Sequence, residues 1–274
     1  MSLFELKTIF SGLVFISGGV GVLLPWVLGR RAAAPRFMAW GNAFAGGVLG
    51  GAGLVHLLSG GAGEFRALAP ELNYPLAFVL AGASFLLIFL VEALIVPGDP
   101  DPGVSVNLGS GSSGHEKGPQ TLTVKSHPVI YVLLLVLSIH SLVVGMTLGA
   151  QSSVSKALIV FIAIVAHKTT AGFALGISYR RAGSALPKAV RVAAFFSSMT
   201  PLGILAGTAV EALVSSGARL LFEAIFDSVG AGTFLYIASV DIVRTEFEPR
   251  GDRWQKWLLA TLGFSMMAGL ALWM

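Results

Sequence analysis

The sequence predicts an all-α integral membrane protein of eight transmembrane helices with both termini extracytoplasmic. Three observations carry that reading. Of 274 residues, 55% are hydrophobic and 12% charged, where a soluble domain averages about 25% charged, and the mean hydropathy is +0.81. The apolar residues fall into eight runs near the roughly 20-residue length that a bilayer-spanning helix needs. The basic residues between those runs are concentrated in alternate loops.

The first run, 6–29, follows MSLFELK, which places no basic region before it and no cleavage site after it, so it reads as a retained helix. The second, 37–59, carries Gly46, Gly47, Gly50, Gly51 and Gly53, and the third covers 74–97. Residues 98–126 are polar and rich in Gly, Ser and Pro, which predicts a flexible cytoplasmic loop. That loop separates residues 1–97, with helices one to three, from 127–274, with helices four to eight, in one membrane domain. The fourth and fifth runs, 127–151 and 155–180, each hold a histidine followed five residues later by a glycine. The sixth, 187–213, contains Pro201, which removes a backbone hydrogen bond and predicts a kink. The seventh and eighth cover 217–243 and 254–274. Gly145/Gly149, Gly172/Gly176 and Gly203/Gly207 recur at four-residue spacing, which lets helix backbones approach closely in lipid.

Charge sets the orientation. Loops one, three, five and seven hold Arg30, Arg31, Arg36, Lys117, Lys125, Arg180, Arg181, Lys188, Arg191, Arg244, Arg250, Arg253 and Lys256. The opposite side holds Lys7, Arg66, Lys156 and Arg219. By the positive-inside rule the first set is cytoplasmic. The same topology explains a pI near 9.6 without nucleic acid as a partner. There is no cysteine, hence no disulfide framework, thiolate site or cysteine nucleophile. His-Glu-x-x-His, Gly-x-Ser-x-Gly and the phosphate-binding Gly-x-x-x-x-Gly-Lys are absent, so the sequence does not read as an enzyme or as ATP-driven.

Ionisable groups in hydrocarbon persist mainly where a bundle interior or wet cavity receives them. Placed by depth, His140, His167 and Asp227 fall near the midplane, with Ser141 and Lys168 directly after the two histidines. His56 and Glu211 lie towards the outer end of their helices, and Glu92 and Asp241 towards the inner end. The groups thus sort into outer, central and inner sets, as a cation path requires, and neutral imidazole suits zinc, iron or nickel. Other readings stand beside this one. His56 reads equally as a hydrogen-bonded packing residue, Glu92, Glu211 and Asp241 as interfacial anchors, and Asp227 as an ion-pair partner of Lys168.

HSLVVGMTLGA (140–150) and HKTTAGFALG (167–176) resemble the fourth- and fifth-helix signatures of the ZIP (Zrt/Irt-like protein) family of divalent-metal transporters. GGVLGGAGLVHLL (46–58), TPLGILAG (200–207) and GAGTFLYIASVDIV (230–243) match in the family's order. The resemblance implies eight helices with both termini outside, and metal movement into the cytoplasm by one helix group sliding against another. Many members carry acidic residues where this chain has Val144 and Ala171. The loss of both argues against a two-metal centre, and Asp227 is the expected compensating carboxylate beside Lys168. The family's histidine-rich loop is reduced to His115 and His127.

The expected function is therefore transport of a divalent metal, zinc first and iron or manganese next, as substrate and with no cofactor. His140 and His167 are the expected ligands, Ser141 and Asp227 auxiliary ones, and Lys168 the residue that replaces a ligand. His56 and Glu211 admit the ion; Glu92 and Asp241 receive it. The ion and the bilayer of a plasma or organelle membrane are the expected partners, and a homodimer is left open. The first alternative is a non-transporting metal sensor or scaffold of the same family. The second is a membrane enzyme using a His-bound metal on lipid.

Overall fold

A computed structural model describes residues 2–29, 34–95, 127–210, 216–248 and 251–272. The predicted loop over 98–126 lies outside these residues. Helix α1 spans Leu3–Leu28 and is started by Ser2, whose hydroxyl accepts from the Glu5 backbone N–H at 3.2 Å while the Glu5 carboxylate accepts from that of Ser2 at 2.8 Å. This reciprocal pairing satisfies N–H groups that a helix start leaves open. Helix α2 covers 34–68 without a break: Ala34–Gly51, a π-helical stretch Ala52–Leu58, then Ser59–Leu68. Helix α3 is Leu76–Ile95, α4 His127–Gly149, α5 Val154–Arg181 and α6 Leu186–Val210. Helix α7 covers 216–247 with a second π-helical stretch at Ile237–Val243, and α8 is Arg253–Leu270.

Seven of these helices, α1 to α7, are long and apolar enough to cross a bilayer; α8 has 18 residues and opens on Arg253 and Lys256. Within the described residues the predicted runs match the helices to within about four residues except at the end of α2, and the eighth, predicted over 254–274, forms the shorter α8. The run Ser59-Gly60-Gly61 reads as a helix stop, yet the helix continues nine residues past 59 to Leu68. The reason is packing: a Cβ on Gly61 would stand 2.6 Å from the Ser228 hydroxyl and 3.1 Å from the Ala224 carbonyl, so glycine there admits α7 rather than making a turn.

The helices associate in two groups. Helices α1, α4, α5 and α6 pack on one another, as do α2, α3, α7 and α8. Glycines knit each group. A Cβ on Gly145, Gly149, Gly203 or Gly207 would overlap backbone atoms across the α4–α6 contact, and one on Gly21 or Gly176 would do so between α1 and α5. In the second group Gly47 and Gly263 play the same part between α2 and α8, and Gly232 between α7 and α3. The seam between the groups is instead made by side chains, and three cavities lie along it. The start of α1 and the end of α8 lie at the same end of the bundle. Near the start of α1, Lys7 donates to the Gly149 carbonyl at the end of α4 at 2.5 Å, and Ala271 lines the same cavity as Gln151.

Candidate functional site

The largest of the seam cavities, about 680 Å³, lies towards the end of the bundle where α1 starts and α8 ends. Its walls are Val55, His56, Ser59, Gly60 and Glu64 of α2, Val144 and Thr147 of α4 with Gln151 just past its end, the first half of α5 from Lys156 to His167, and Asp227 of α7. Helical periodicity builds it. Val144 and Thr147 continue the face of His140 at four and seven residues. Ala163, Val160 and Lys156 continue the face of His167 in the same way.

His56 and His167 line it, and His140 lies beside His167 without lining the cavity. The rings of His140 and His167 have centroids 5.6 Å apart, and those of His56 and His167 6.3 Å. His140 and His167 are 7% and 4% exposed, and His140 packs on the Phe234 ring at 4.6 Å. Its Nε2 and the Nδ1 of His167 are buried without a hydrogen-bond partner. A buried donor or acceptor left unmade costs about 1–3 kcal/mol, so such atoms call for an occupant. Among the described residues, however, no three His, Cys, Asp or Glu side chains stand close enough to hold a metal ion.

His56 was expected near the outer end of its helix. Because α2 runs on to Leu68, His56 sits instead in mid-helix, within the π-helical turn, beside His167. The same extension brings Glu64 into the cavity wall, a carboxylate that the sequence reading left in a loop. Asp227 faces it across the mouth, within electrostatic reach of Glu64 and Glu223. Glu211 lies outside the described residues.

Lys168 does not belong to this cavity. One residue past His167 is a rotation of about 100° on a helix, and it turns the ammonium away towards α6. There it donates to the Phe196 carbonyl at 3.2 Å and the Thr200 hydroxyl at 2.8 Å, and lies 4.1 Å from the Phe196 ring centroid. Those bonds stand in place of the ion pair with Asp227 that the sequence offered as an alternative. Ser141 is likewise buried without lining the cavity; it precedes by one turn Gly145, which packs on α6.

Beyond the histidines, a narrow second cavity of about 20 Å³ is lined by Glu92 of α3, Leu133 of α4, and Tyr236 and Asp241 of α7. The Tyr236 hydroxyl, which the sequence reading passed over, donates to the Glu92 carboxylate. Its volume suits about one water. From Thr147 to Leu133, α4 passes the wide cavity, His140 and the narrow cavity in turn, over about 21 Å at 1.5 Å per residue.

A family model described as ZIP Zinc transporter matches residues 102–271. Zinc transporter ZIP2 of Homo sapiens is 30% identical over 214 residues, covering 74% of this chain and 68% of that protein. Zinc transporter ZIP3 of Bos taurus is 33% identical over 162 residues, 57% of this chain and 50% of the relative. Zinc transporter ZIP1 of Takifugu rubripes is 37% identical over 145 residues, 52% of this chain and 46% of the relative. The chain thus spans about half the length of two of these three relatives.

Proposed function

The chain belongs to the ZIP zinc transporter family, and from that premise we propose that it carries divalent transition-metal ions across its membrane along the cavities of the seam. Its long apolar helices make it a multi-pass integral membrane protein, and the family is one of transporters rather than enzymes. Zinc is the first substrate, on the strength of the relatives' names, and iron and manganese follow.

The observation that carries the reading is a pair of unpartnered imidazole nitrogens, one on His167 in the wall of the wide cavity and one on His140 packed beside it. Two imidazoles on one tetrahedral zinc hold their ring centroids about 5 Å apart, given Zn–N bonds of about 2.0–2.1 Å. His140 and His167, at 5.6 Å, stand close to that spacing. His56, at 6.3 Å from His167, needs to approach by about 1 Å to serve as a third ligand. Asp227 and Glu64 supply the negative charge at the mouth that draws in a cation. Glu92 and Asp241 receive the ion on the far side.

The two helix groups divide the ligands. His140 and His167 belong to the group of α1, α4, α5 and α6; His56 and Asp227 belong to the other. Sliding of the first group past the second would carry the ion off the mouth residues and towards the narrow cavity. Lys168 takes no ligand role in this path; its charge is held at the α6 side. Radiotracer Zn²⁺ uptake into proteoliposomes, with Fe²⁺ and Mn²⁺ as competitors, tests the function. Saturable uptake is expected; histidine-dependent zinc binding without uptake would make the chain a sensor instead.

A further inference from the structure

We propose, resting on the transport reading above, that Arg181 and Glu246 form a latch that clasps the two helix groups together at the end of the bundle away from the wide cavity, and that its release is a step of the transport cycle. Glu246, in the tail of α7, is 2% exposed. Its Oε1 accepts from the Arg181 guanidinium at 2.5 Å and from the Asn42 amide at 2.7 Å, while its backbone carbonyl accepts from the Lys256 ammonium at 2.5 Å. Four helices therefore meet at one residue. Helices α2, α7 and α8 are of one group; Arg181, the last residue of α5, comes from the other.

The neighbouring arginine marks the division. Arg180 turns to α1, donating to the Pro25 carbonyl and, at 3.2 Å, to that of Gly29. It thus staples α5 within its own group, and Arg181 reaches across the seam. Within each group glycines bring backbone against backbone, contacts that cannot slide without clashing. Across the seam at this end stands a charge-assisted pair that can part. Arg181 is 36% exposed, so its guanidinium can return to water, whereas Glu246 remains fixed by Asn42 on its own group. Each helix leads the same way. Helices α2, α5, α7 and α8 have His56 and Glu64, His167, Asp227 and Ala271 towards the wide cavity, and Asn42, Arg181, Glu246 and Lys256 at the latch. A closed latch is what keeps the groups together at one end while the cavity stands open at the other.

The absence of cysteine from the chain supplies the assay. A single Leu133→Cys in the 274-residue chain reports on the narrow cavity, whose wall residue Leu133 is 5% exposed in the latched arrangement. Purified in detergent, it is reacted with a small charged thiol reagent, and the rate reads the population of the released state. Loss of one charge-assisted hydrogen bond shifts such an equilibrium about tenfold, or 1.4 kcal/mol. Arg181→Gln and Glu246→Gln are each expected to raise the Leu133→Cys rate five- to tenfold while a Val144→Cys reporter slows by about twofold at most. The exchange Arg181→Glu with Glu246→Arg returns both rates towards native. Arg36→Gln, which breaks the exposed pair with Asp252 inside one group, leaves them unchanged. Native labelling rates in both single variants would overturn the latch, as would a charge exchange that labels as fast as the singles. Zinc uptake by the native chain is read separately, so a failed transport reading with a working latch is told apart from the reverse.

Discussion

His56→Ala separates a site of two histidines from one of three. His56 stands on α2 with its ring centroid 6.3 Å from that of His167, against 5.6 Å between His140 and His167. It reaches a shared zinc after an approach of about 1 Å, so it is the ligand that arrives last. Removing an outer-shell partner of a metal typically weakens binding 10- to 100-fold, and a ligand that completes the site costs at least that, about 1.4–2.8 kcal/mol. Because His56 belongs to the opposite helix group from His140 and His167, its contact exists only while the mouth arrangement persists. The loss is therefore expected in the KM of zinc uptake more than in kcat. The assay is uptake into proteoliposomes beside zinc titration of the detergent-purified protein, with His56→Gln as the volume-keeping control. A His56→Ala variant that binds zinc within twofold of native, while His140→Ala does not bind, would refute a third histidine.

Asp227→Asn keeps the shape of the cavity mouth and removes a charge beside Glu64, so zinc uptake should fall at least tenfold; native uptake would remove Asp227 from the path. Lys168→Met fills the same space against Phe196, and replacing a buried charge by a matched apolar chain is often neutral or stabilising. Its thermal midpoint should stay within a few degrees of native with zinc uptake retained, whereas abolished zinc binding would return Lys168 to the site. Gly203→Val places a side chain against the Leu142 carbonyl and Gly145, and should cost about 1–3 kcal/mol by overpacking, read as a lower midpoint in detergent. Gly82→Ala, where a Cβ meets nothing within 4 Å, should leave the midpoint unchanged or higher.

Much of this was legible in the sequence because bilayer length and hydropathy leave little freedom. The starts of all eight helices, and the glycine faces of α4, α5 and α6, follow from run length and four-residue spacing alone. The end of α2 did not follow, since Ser-Gly-Gly is the signature of a loop, and only the approach of α7 shows that Gly61 serves a close contact. That misreading moved His56 to the wrong depth and hid Glu64. Lys168 misled for another reason: sequence places it beside His167, but a helix rotates neighbours apart, and its partners Phe196 and Thr200 are 28 and 32 residues away. Glu246 was invisible because its run reads as a basic loop; no pattern within α7 announces that Arg181 and Asn42 enclose it. A carboxylate following a long apolar run by a few residues was the available signal.

The account stands most directly on the two orphaned imidazoles. The decisive measurement is radiotracer Zn²⁺ uptake into proteoliposomes by the native chain and by the His140→Ala, His167→Ala double variant, with equal folding shown by thermal midpoint. Saturable uptake by the native chain and none by the folded double variant is the predicted result. Equal uptake by both would contradict a histidine site at the wide cavity.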